Sequence, residues 1–418
     1  MTSAKTESAT IRVEHALRLL PDVDVLAPLR ALVIASSRAN TSDAPHATVG
    51  KRVLRTDRLP DAIPKAVQHF SEHLTSLFTL AISALDAERR GDLSAAVRSL
   101  LEAGGLEARI GREQSAEIWI EHALRLAESS IDRRAEIEAL LAYSALDVAR
   151  EAPERAARRC QRAFALAEAE RLDSTAAEAC LALGGIALRR GNLQGASSWY
   201  ARGLELALAD HSAPGRLRLG LSELATARGA LDEAAEFLRL ADAELREARD
   251  WAGLAAARSA MARLSAAAGR PDETIVHYRE ALEHAQRGAR DPLVELVVRI
   301  NLSRFLLESD RLVEAEDEAR KAEEIAVLHN RTRKLVRLYI ILGTIRGKQL
   351  DESGFVFFEK AIELSRGASP TPRLEAEAYH AYALFRRSFS GDEEEAAAYL
   401  EREEEILALV ETDGAPDL

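Results

Sequence analysis

A repeat of about 40 residues runs through this chain and constrains its fold more than any other feature of the sequence. A turn residue, glycine or a stand-in for it, is followed five positions later by a small residue at these places: Gly111/Ala116, Glu151/Ala156, Gly191/Ala196, Gly229/Ala234, Gly269/Thr274, Asp310/Ala315, Gln349/Gly354 and Gly391/Ala396. The steps between the leading residues are 40, 40, 38, 40, 41, 39 and 42. A fixed period of this size is typical of stacked repeats, in which each unit contacts only its neighbours. Such an array indicates binding rather than catalysis.

Between these turns the sequence predicts helices and no strands. From about residue 65 it divides into segments with apolar residues at helical spacing, each closed by a short turn signal. Only 5% of the residues are aromatic, and Ala, Leu, Arg and Glu are prominent, which is typical of closely packed helices. We therefore predict an all-α repeat array over residues 65–411. A partial repeat or cap with a linker is expected over 1–64, and a frayed tail over 412–418.

The small residue after each turn has a packing reason. Two antiparallel helices approach most closely at that point, and a larger side chain there would force them apart. Four residues further along stand larger groups that fill the space beside the crossing, namely Tyr200, Leu238, Tyr278, Phe358 and Leu400. Three residues later alanine returns at Ala123, Ala163, Ala241, Ala281, Ala322 and Ala361. The pattern predicts that the small residues lie buried between the paired helices.

These residues resemble the tetratricopeptide repeat family. The match lies in Leu183-Gly184 before Gly191, then Ala196, Tyr200 and Gly203, and in Leu342-Gly343 followed by the apolar run from Phe357 to Leu364. The family repeat has about 34 residues, whereas this one gains roughly one turn in each helix. It is similar to the longer-helix form of kinesin light chains and of the sensor arrays of signal-transducing regulators. The resemblance covers residues 93–411 and implies a right-handed superhelical solenoid of antiparallel helix pairs that binds other proteins.

Charge and cysteine content exclude several classes of function. A formal net charge of −12 argues against nucleic acid and against anionic membranes as partners, because both require a concentrated basic surface. The sequence has no apolar stretch long enough for a membrane span and no apolar signal core at its start, so we predict a soluble cytoplasmic protein. Cys160 and Cys180 stand in apolar helical contexts and are expected to be buried thiols.

No constellation of catalytic or metal-binding residues emerges from the sequence. His69 and His73, and likewise His277 and His284, share a helix face, but neither pair has further ligands close by in sequence. We expect both pairs to be solvated. Carboxylates are abundant on every predicted helix, yet none is singled out as an acid or a base. We therefore predict a protein without a cofactor, without a metal and without enzymatic activity.

The family resemblance implies that the first helix of each pair lines a concave groove. Its exposed side chains would lie thirteen, ten, six, three and two residues before the turn. On this basis the candidate partner-binding residues are Arg216, Arg263, Ile300, Arg304, Tyr339, Arg346 and Phe385. The arginines would pair with carboxylates of a peptide or helix. The alternative is that they point to water or bind acidic groups within the array.

Two functional hypotheses follow, and they differ in what the groove binds. In the first, the chain is a scaffold that holds a peptide segment or helix of another protein. In the second, it is a regulatory sensor in which a small peptide or metabolite switches a separate effector. A homo-oligomer is left open, because residues 331–348 carry only basic charges while the last predicted helix is strongly acidic.

Overall fold

The computed structural model describes residues 62–130, 132–150, 152–210, 214–287, 292–367 and 371–413. These residues form helices joined by short turns, and no strand occurs among them. The predicted all-α fold is confirmed. The predicted segments at 1–64 and 412–418 lie outside the described residues, apart from the ends of the first and last helices.

The chain forms two compact units, divided in sequence after Gly220. Unit 1 contains α1 (Ala62–Arg90), α2 (Leu93–Arg109), α3 (Glu113–Ser130), α4 (Arg133–Ala149), α5 (Pro153–Ala169), α6 (Asp173–Arg189), α7 (Leu193–Ala209) and the first part of α8 (Gly215–Ala227). Unit 2 contains the rest of α8, α9 (Leu231–Glu247), α10 (Trp251–Ala267), α11 (Pro271–Arg287), α12 (Pro292–Glu308), α13 (Leu312–Leu328), α14 (Thr332–Lys348), α15 (Gly354–Ser365), α16 (Pro372–Phe389) and α17 (Glu393–Asp413).

Within each unit the helices pack as consecutive pairs. In unit 1 the pairs are α2 with α3, α4 with α5 and α6 with α7; in unit 2 they are α10 with α11, α12 with α13, α14 with α15 and α16 with α17. We call the first member of a pair the A helix and the second the B helix. A helices also contact the A helix of the next pair: α2 with α4, α4 with α6, α10 with α12, α12 with α14 and α14 with α16. The A helices of each unit therefore lie side by side as one layer.

Most helices end in the same way, with a residue in the left-handed conformation. At Gly191 (φ 72°), the amide of the following Asn192 donates to the carbonyl of Ala187 at 2.9 Å, which satisfies a carbonyl at the end of α6. The same conformation occurs at non-glycine residues, at Arg171, Arg249, Asp310, Asn330 and Leu350. Helices of 17 residues with three-residue connections thus recur about every 20 residues, and the pair accounts for the period seen in the sequence.

One turn lies a residue away from its predicted position. The sequence pattern takes Gln349 as the leading residue of its repeat, but Leu350 has the left-handed conformation, with φ 55°. Measured from Leu350, the steps to Asp310 and to Gly391 become 40 and 41, which removes the irregular 39 and 42. The error arose because neither residue at this turn is a glycine. It shifts every position counted back along α14 by one.

The small residues of the repeat lie where the sequence predicts them. Ala116, Ala156, Ala196, Ala234, Thr274, Ala315 and Ala396 are 0% exposed, and Gly354 is buried. The larger groups Tyr200, Leu238, Tyr278 and Phe358 are also buried. The small residues are therefore buried, as predicted, whereas Leu400, the large group of the last repeat, is only partly buried.

A glycine on the A helix makes room for the large B-helix side chain. A Cβ on Gly184 of α6 would lie 2.9 Å from Cζ of Tyr200 and closer still to the edge of its ring. Gly220 of α8 faces the same ring, where a Cβ would meet Cζ at 2.7 Å. In unit 2, Gly343 accommodates the ring of Phe358 in the same way. The Leu-Gly dipeptides that carry the family resemblance therefore form the slots for these rings.

Replacing Gly184 with alanine is expected to destabilise the protein by about 1 to 3 kcal/mol, because the rigid Tyr200 ring must shift. Gly185 is the matched control, since its Cβ would find no atom nearer than 3.8 Å. Gly185→Ala should be neutral or slightly stabilising, because alanine favours helix more than glycine does. Urea unfolding of the two variants provides the comparison, and equal effects would refute the role of Gly184 as a slot for the ring.

Charged side chains are buried between α3, α4 and α5 in unit 1. Asp147 of α4 is 0% exposed and forms an ion pair with Arg159 of α5, while Arg155 approaches it at 3.6 Å. The guanidinium of Arg159 stacks over the ring of Tyr143, 3.6 Å from the centroid. The Tyr143 hydroxyl donates to Glu117 of α3 at 2.8 Å. These contacts tie one helix pair to the preceding one by charge as well as by packing.

Candidate functional site

Positions thirteen, ten and six residues before each left-handed turn residue share one face of an A helix, because they are separated by three, four and seven residues. We call these positions row thirteen, row ten and row six. On α10, α12 and α14 of unit 2, row six holds Arg263, Arg304 and Thr344, and row thirteen holds Ala256, Val297 and Arg337. Row ten holds Ser259, Ile300 and Ile340, which are 4%, 7% and 8% exposed. The accessible side chains of this face therefore belong to rows six and thirteen.

Arg263 of α10 and Arg304 of α12 are exposed and lie close to the same buried tyrosine. Burial raises the pKa of Tyr278, the charges of Arg263 and Arg304 act to lower it, and the charge of Glu308 acts to raise it, so both guanidinium groups and this carboxylate stand near the phenol. Their own ion pairs are long: Arg263 lies 3.8 Å from Glu223, and Arg304 lies 4.0 Å from Glu308. At these distances the N–H donors of both arginines remain open to a ligand.

Two other arginines on the same helices are bound tightly within the array. Arg258 of α10 donates to Asp242 at 2.9 and 3.1 Å and to Glu280 at 2.8 Å. Arg299 of α12 is held by Glu295 at 2.6 Å and also pairs with Glu318. These two side chains connect helices. Arg258 and Arg299 therefore hold helices together, whereas Arg263 and Arg304 make only long ion pairs. We call Arg263 and Arg304 the arginine pair.

Hydroxyl groups accompany the arginine pair. The Ser259 Oγ is buried and has no hydrogen-bond partner among the described residues, and it stands one helical turn before Arg263. Tyr278 is 2% exposed, and no side-chain hydrogen bond contributes to the shift of its pKa. Two guanidinium groups with nearby hydroxyl donors suit a carboxylate, whose two oxygens accept several hydrogen bonds.

The positive charge extends along the A layer to α14. Arg337 is exposed in row thirteen, and Lys334 lies one turn before it. Burial lowers the pKa of Lys334, and the charges of Arg337 and Arg331 lower it further. Among the charges that shift this pKa there is no carboxylate. An acidic ligand on this face would relieve the repulsion among these cations.

The structure places the seven predicted partner-binding residues in different surroundings. Arg263 and Arg304 both lie near Tyr278. Arg216 is exposed in unit 1 on α8, where its charge acts on Glu178. Arg346 pairs with Glu316 and, at 3.4 Å, with Asp351, so it holds helices together. Ile300, Tyr339 and Phe385 are 7%, 9% and 4% exposed and fill the core.

The buried positions have physical reasons. Tyr339 and Arg346 were counted ten and three residues back from Gln349. Counted from Leu350, the same offsets fall on Ile340 and Gly347. Phe385 occupies row six of α16, but its ring folds into the space left by Gly347 and Gly354. Two candidate site residues, Arg337 and Tyr278, were missed. The regular 40-residue step from Asp310 would have located Arg337, whereas the sequence pattern marks Tyr278 only as a packing residue.

No group of three or more His, Cys, Asp or Glu side chains in the described segments could hold a metal. The expectation that the histidines are solvated is wrong for His73, which is buried and bonded to Glu107 at 2.8 Å, and for His284, which is buried against Trp251. Cys160 and Cys180 are free and buried, as predicted, and burial raises the pKa of both. No helix in the described ranges has the length and apolar character of a membrane span.

Comparison with known proteins identifies the fold. No described family and no curated protein matches the sequence. A crystal structure of a Rap protein complexed with Competence and Sporulation Factor aligns over 97% of this chain and 99% of its own, with 10% identity and a TM-score of 0.56. The apo quorum sensor NprR from B. thuringiensis aligns over 83% of this chain and 100% of its own, with 16% identity and a TM-score of 0.53. Apo RapI aligns over 66% and 99%, with 12% identity and a TM-score of 0.50.

Proposed function

We propose that this chain, which has a tetratricopeptide-like helical-repeat fold, is a non-enzymatic cytoplasmic adaptor that binds an acidic peptide segment of another protein on the A layer of unit 2. The observation that carries the proposal is the arginine pair. Arg263 and Arg304 lie on successive A helices, face the same tyrosine and make only long ion pairs of 3.8 and 4.0 Å. A carboxylate of the ligand would replace these contacts with charge-assisted hydrogen bonds.

Several features of unit 2 support a carboxylate ligand over an apolar one. Row ten is buried on α10, α12 and α14, so its isoleucines contribute little accessible apolar surface. The accessible face carries Arg263, Arg304 and Arg337, with Val297 as its largest exposed apolar side chain at 40%. A peptide with one or two acidic residues and a small apolar residue between them fits this composition.

A regulatory sensor is the second candidate function. The fold likeness favours it, because the similar structures include a quorum sensor and a Rap protein in complex with a factor. In this form of the proposal, the acidic ligand is a free short peptide, and its binding changes the interaction of the array with a separate effector. Both forms use the same arginine pair, and they differ in whether the ligand belongs to a larger protein.

A peptide-selection experiment tests the proposal. The full chain is offered a random library of peptides of about eight residues, a length that spans two A helices when extended. We expect enrichment of Asp and Glu, and binding that weakens with salt. In the double variant Arg263→Glu/Arg304→Glu, fluorescence anisotropy should show at least about a tenfold loss of affinity for the selected peptides.

Arg279→Glu is the matched control for this experiment. Arg279 lies on the B helix α11 and makes an equally long 3.8 Å pair with Glu314, so its reversal changes the charge at a different surface by as much as each single reversal, Arg263→Glu or Arg304→Glu, does. This variant should keep the affinity of the unmodified chain. Selection of neutral or basic peptides, or an equal loss of affinity in both variants, would contradict the proposal.

A further inference from the structure

A buried histidine in unit 2 lies among charged side chains of α9, α10 and α11. His284 of α11 is 8% exposed, and its ring stacks on the indole of Trp251 at the start of α10, with 6.0 Å between the two centroids. Its Nδ1 is buried and has no hydrogen-bond partner among the described residues. Histidine is the side chain whose charge ordinarily changes between about pH 5 and pH 8. The surroundings of His284 therefore decide how this part of the array responds to acid.

The charges around His284 come from all three helices, and most of them are positive. Burial lowers the pKa of His284, and the charge of Arg258 on α10 lowers it further. Arg246 of α9 and Arg287 of α11 act in the same direction, whereas Asp242 of α9 opposes them. Asp242 already accepts from Arg258 at 2.9 and 3.1 Å and from Arg246 at 3.0 Å. The ring is therefore neutral at neutral pH, and the carboxylate that acts on it is shared by two arginines.

Arg258 connects the three helices through the same carboxylate. Its guanidinium bonds Asp242 of α9 on one side and donates to Glu280 of α11 at 2.8 Å on the other. Because α9 is the last helix of one repeat and α10 and α11 form the next, this network joins two repeats. A positively charged imidazole would compete for Asp242 and would be repelled by the neighbouring guanidinium groups. A proton on His284 thus acts directly on the contact between the repeats.

We propose that a proton on His284 weakens the ion pair between Asp242 and Arg258 and loosens α9 from α10, so that acid opens this contact between two repeats. Above the ordinary pKa of histidine, about 6.5, the ring is neutral in the closed and in the loosened chain. As the pH falls below that value, the loosened chain takes up a proton more readily than the closed one, so the closed contact loses stability. The response does not depend on a ligand at the arginine pair.

Tryptophan fluorescence of the full chain reports the proton on His284. A positively charged imidazole quenches a stacked indole more strongly than a neutral one does, because it accepts an electron from the excited ring. Emission should therefore fall as the pH is lowered from about 7.5 to about 5, with a midpoint below about 6.5. His284→Phe keeps a ring against Trp251 but cannot titrate, so it should lose this change, and Trp251→Phe should lose it as well. A midpoint at or above about 6.5 would contradict the proposal.

Two exposed arginines of α11 test the effect of the surrounding charges. Arg287 acts on His284 and lies 3.8 Å from Glu283. Arg279 lies at the same distance from Glu314 and is not among the charges that shift the pKa of His284. Arg287→Gln should move the fluorescence midpoint to higher pH, because it removes a positive charge near the ring, whereas Arg279→Gln should leave the midpoint unchanged. Equal midpoints in the two variants would count against the proposal.

Hydrogen exchange of the full chain tests whether the proton loosens the helices. Corrected for the intrinsic exchange rate, the protection of amides in α9 and α10 should fall at least about tenfold between about pH 7.5 and pH 5.5. Amides of α6 and α7, two helices without histidine, should keep their protection and serve as the internal control. In His284→Gln and His284→Phe, the protection of α9 and α10 should be equal at both pH values. The inference fails if these variants lose protection as the unmodified chain does. It also fails if the unmodified chain keeps its protection while its fluorescence shows that His284 is protonated.

Discussion

Replacing Arg159 with methionine is expected to lower the free energy of unfolding by about 3 to 5 kcal/mol, because it leaves the buried carboxylate of Asp147 without its nearest counter-charge. Arg155 remains 3.6 Å away, but its side chain is about half exposed and its charge is shared with Glu117 at 3.8 Å. The stacking of the guanidinium on Tyr143 is lost as well. Urea unfolding of the full chain, followed by circular dichroism, measures the loss.

The neighbouring arginine provides the control. Arg158 is exposed on the same helix, and Arg158→Met should change the stability by less than about 0.5 kcal/mol. A double variant, Asp147→Leu/Arg159→Met, removes both charges and should recover most of the stability, because a buried ion pair can be exchanged for apolar side chains at little cost. If Arg159→Met were as stable as Arg158→Met, the ion pair between Asp147 and Arg159 would not contribute to the stability of the protein.

The fold follows from the sequence because it depends on local, periodic signals. Gly191 and Gly269 mark left-handed turns, and Ala196 and Ala234 lie at crossings that tolerate only small side chains. These requirements recur in every repeat, so eight degenerate matches in register support one another. Leu350 shows where such reasoning stops. A leucine in the left-handed conformation carries no sequence signal, and only the regularity of its neighbours locates it.

The candidate site is less predictable, because exposure depends on contacts between repeats. Ile300 is buried while Leu101 and Leu181 of the same row are partly exposed, although all belong to equivalent positions. Ile300 is part of a core cluster of unit 2, whereas Leu101 is only partly buried and packs against clusters of unit 1. A single repeat therefore does not reveal whether its row ten belongs to the core or to the accessible face.

A periodic sequence pattern also does not predict which residues form ion pairs with each other. Arg258 and Arg263 are five residues apart on one helix, yet the first is bound by Asp242 and Glu280 and the second makes only one long contact. Their partners lie on different helices, and the sequence spacing gives no reason to separate them. The proposed site thus depends on residues that the local sequence treats as equivalent.

Glutamate at the helix crossings is expected to lower the free energy of unfolding by about 2 to 4 kcal/mol, through overpacking and through burial of a charge. Ala196 of α7 and Ala234 of α9 are both 0% exposed, so each tests the crossing within one unit. The controls are Ala201→Glu on α7 and Ala235→Glu on α9, at exposed positions of the same helices. They should differ from the unmodified chain by less than about 0.5 kcal/mol. Urea unfolding of the four variants measures these changes. If Ala196→Glu and Ala234→Glu left the free energy of unfolding unchanged, small residues would not set the distance between paired helices. The repeat of small residues would then need another physical cause.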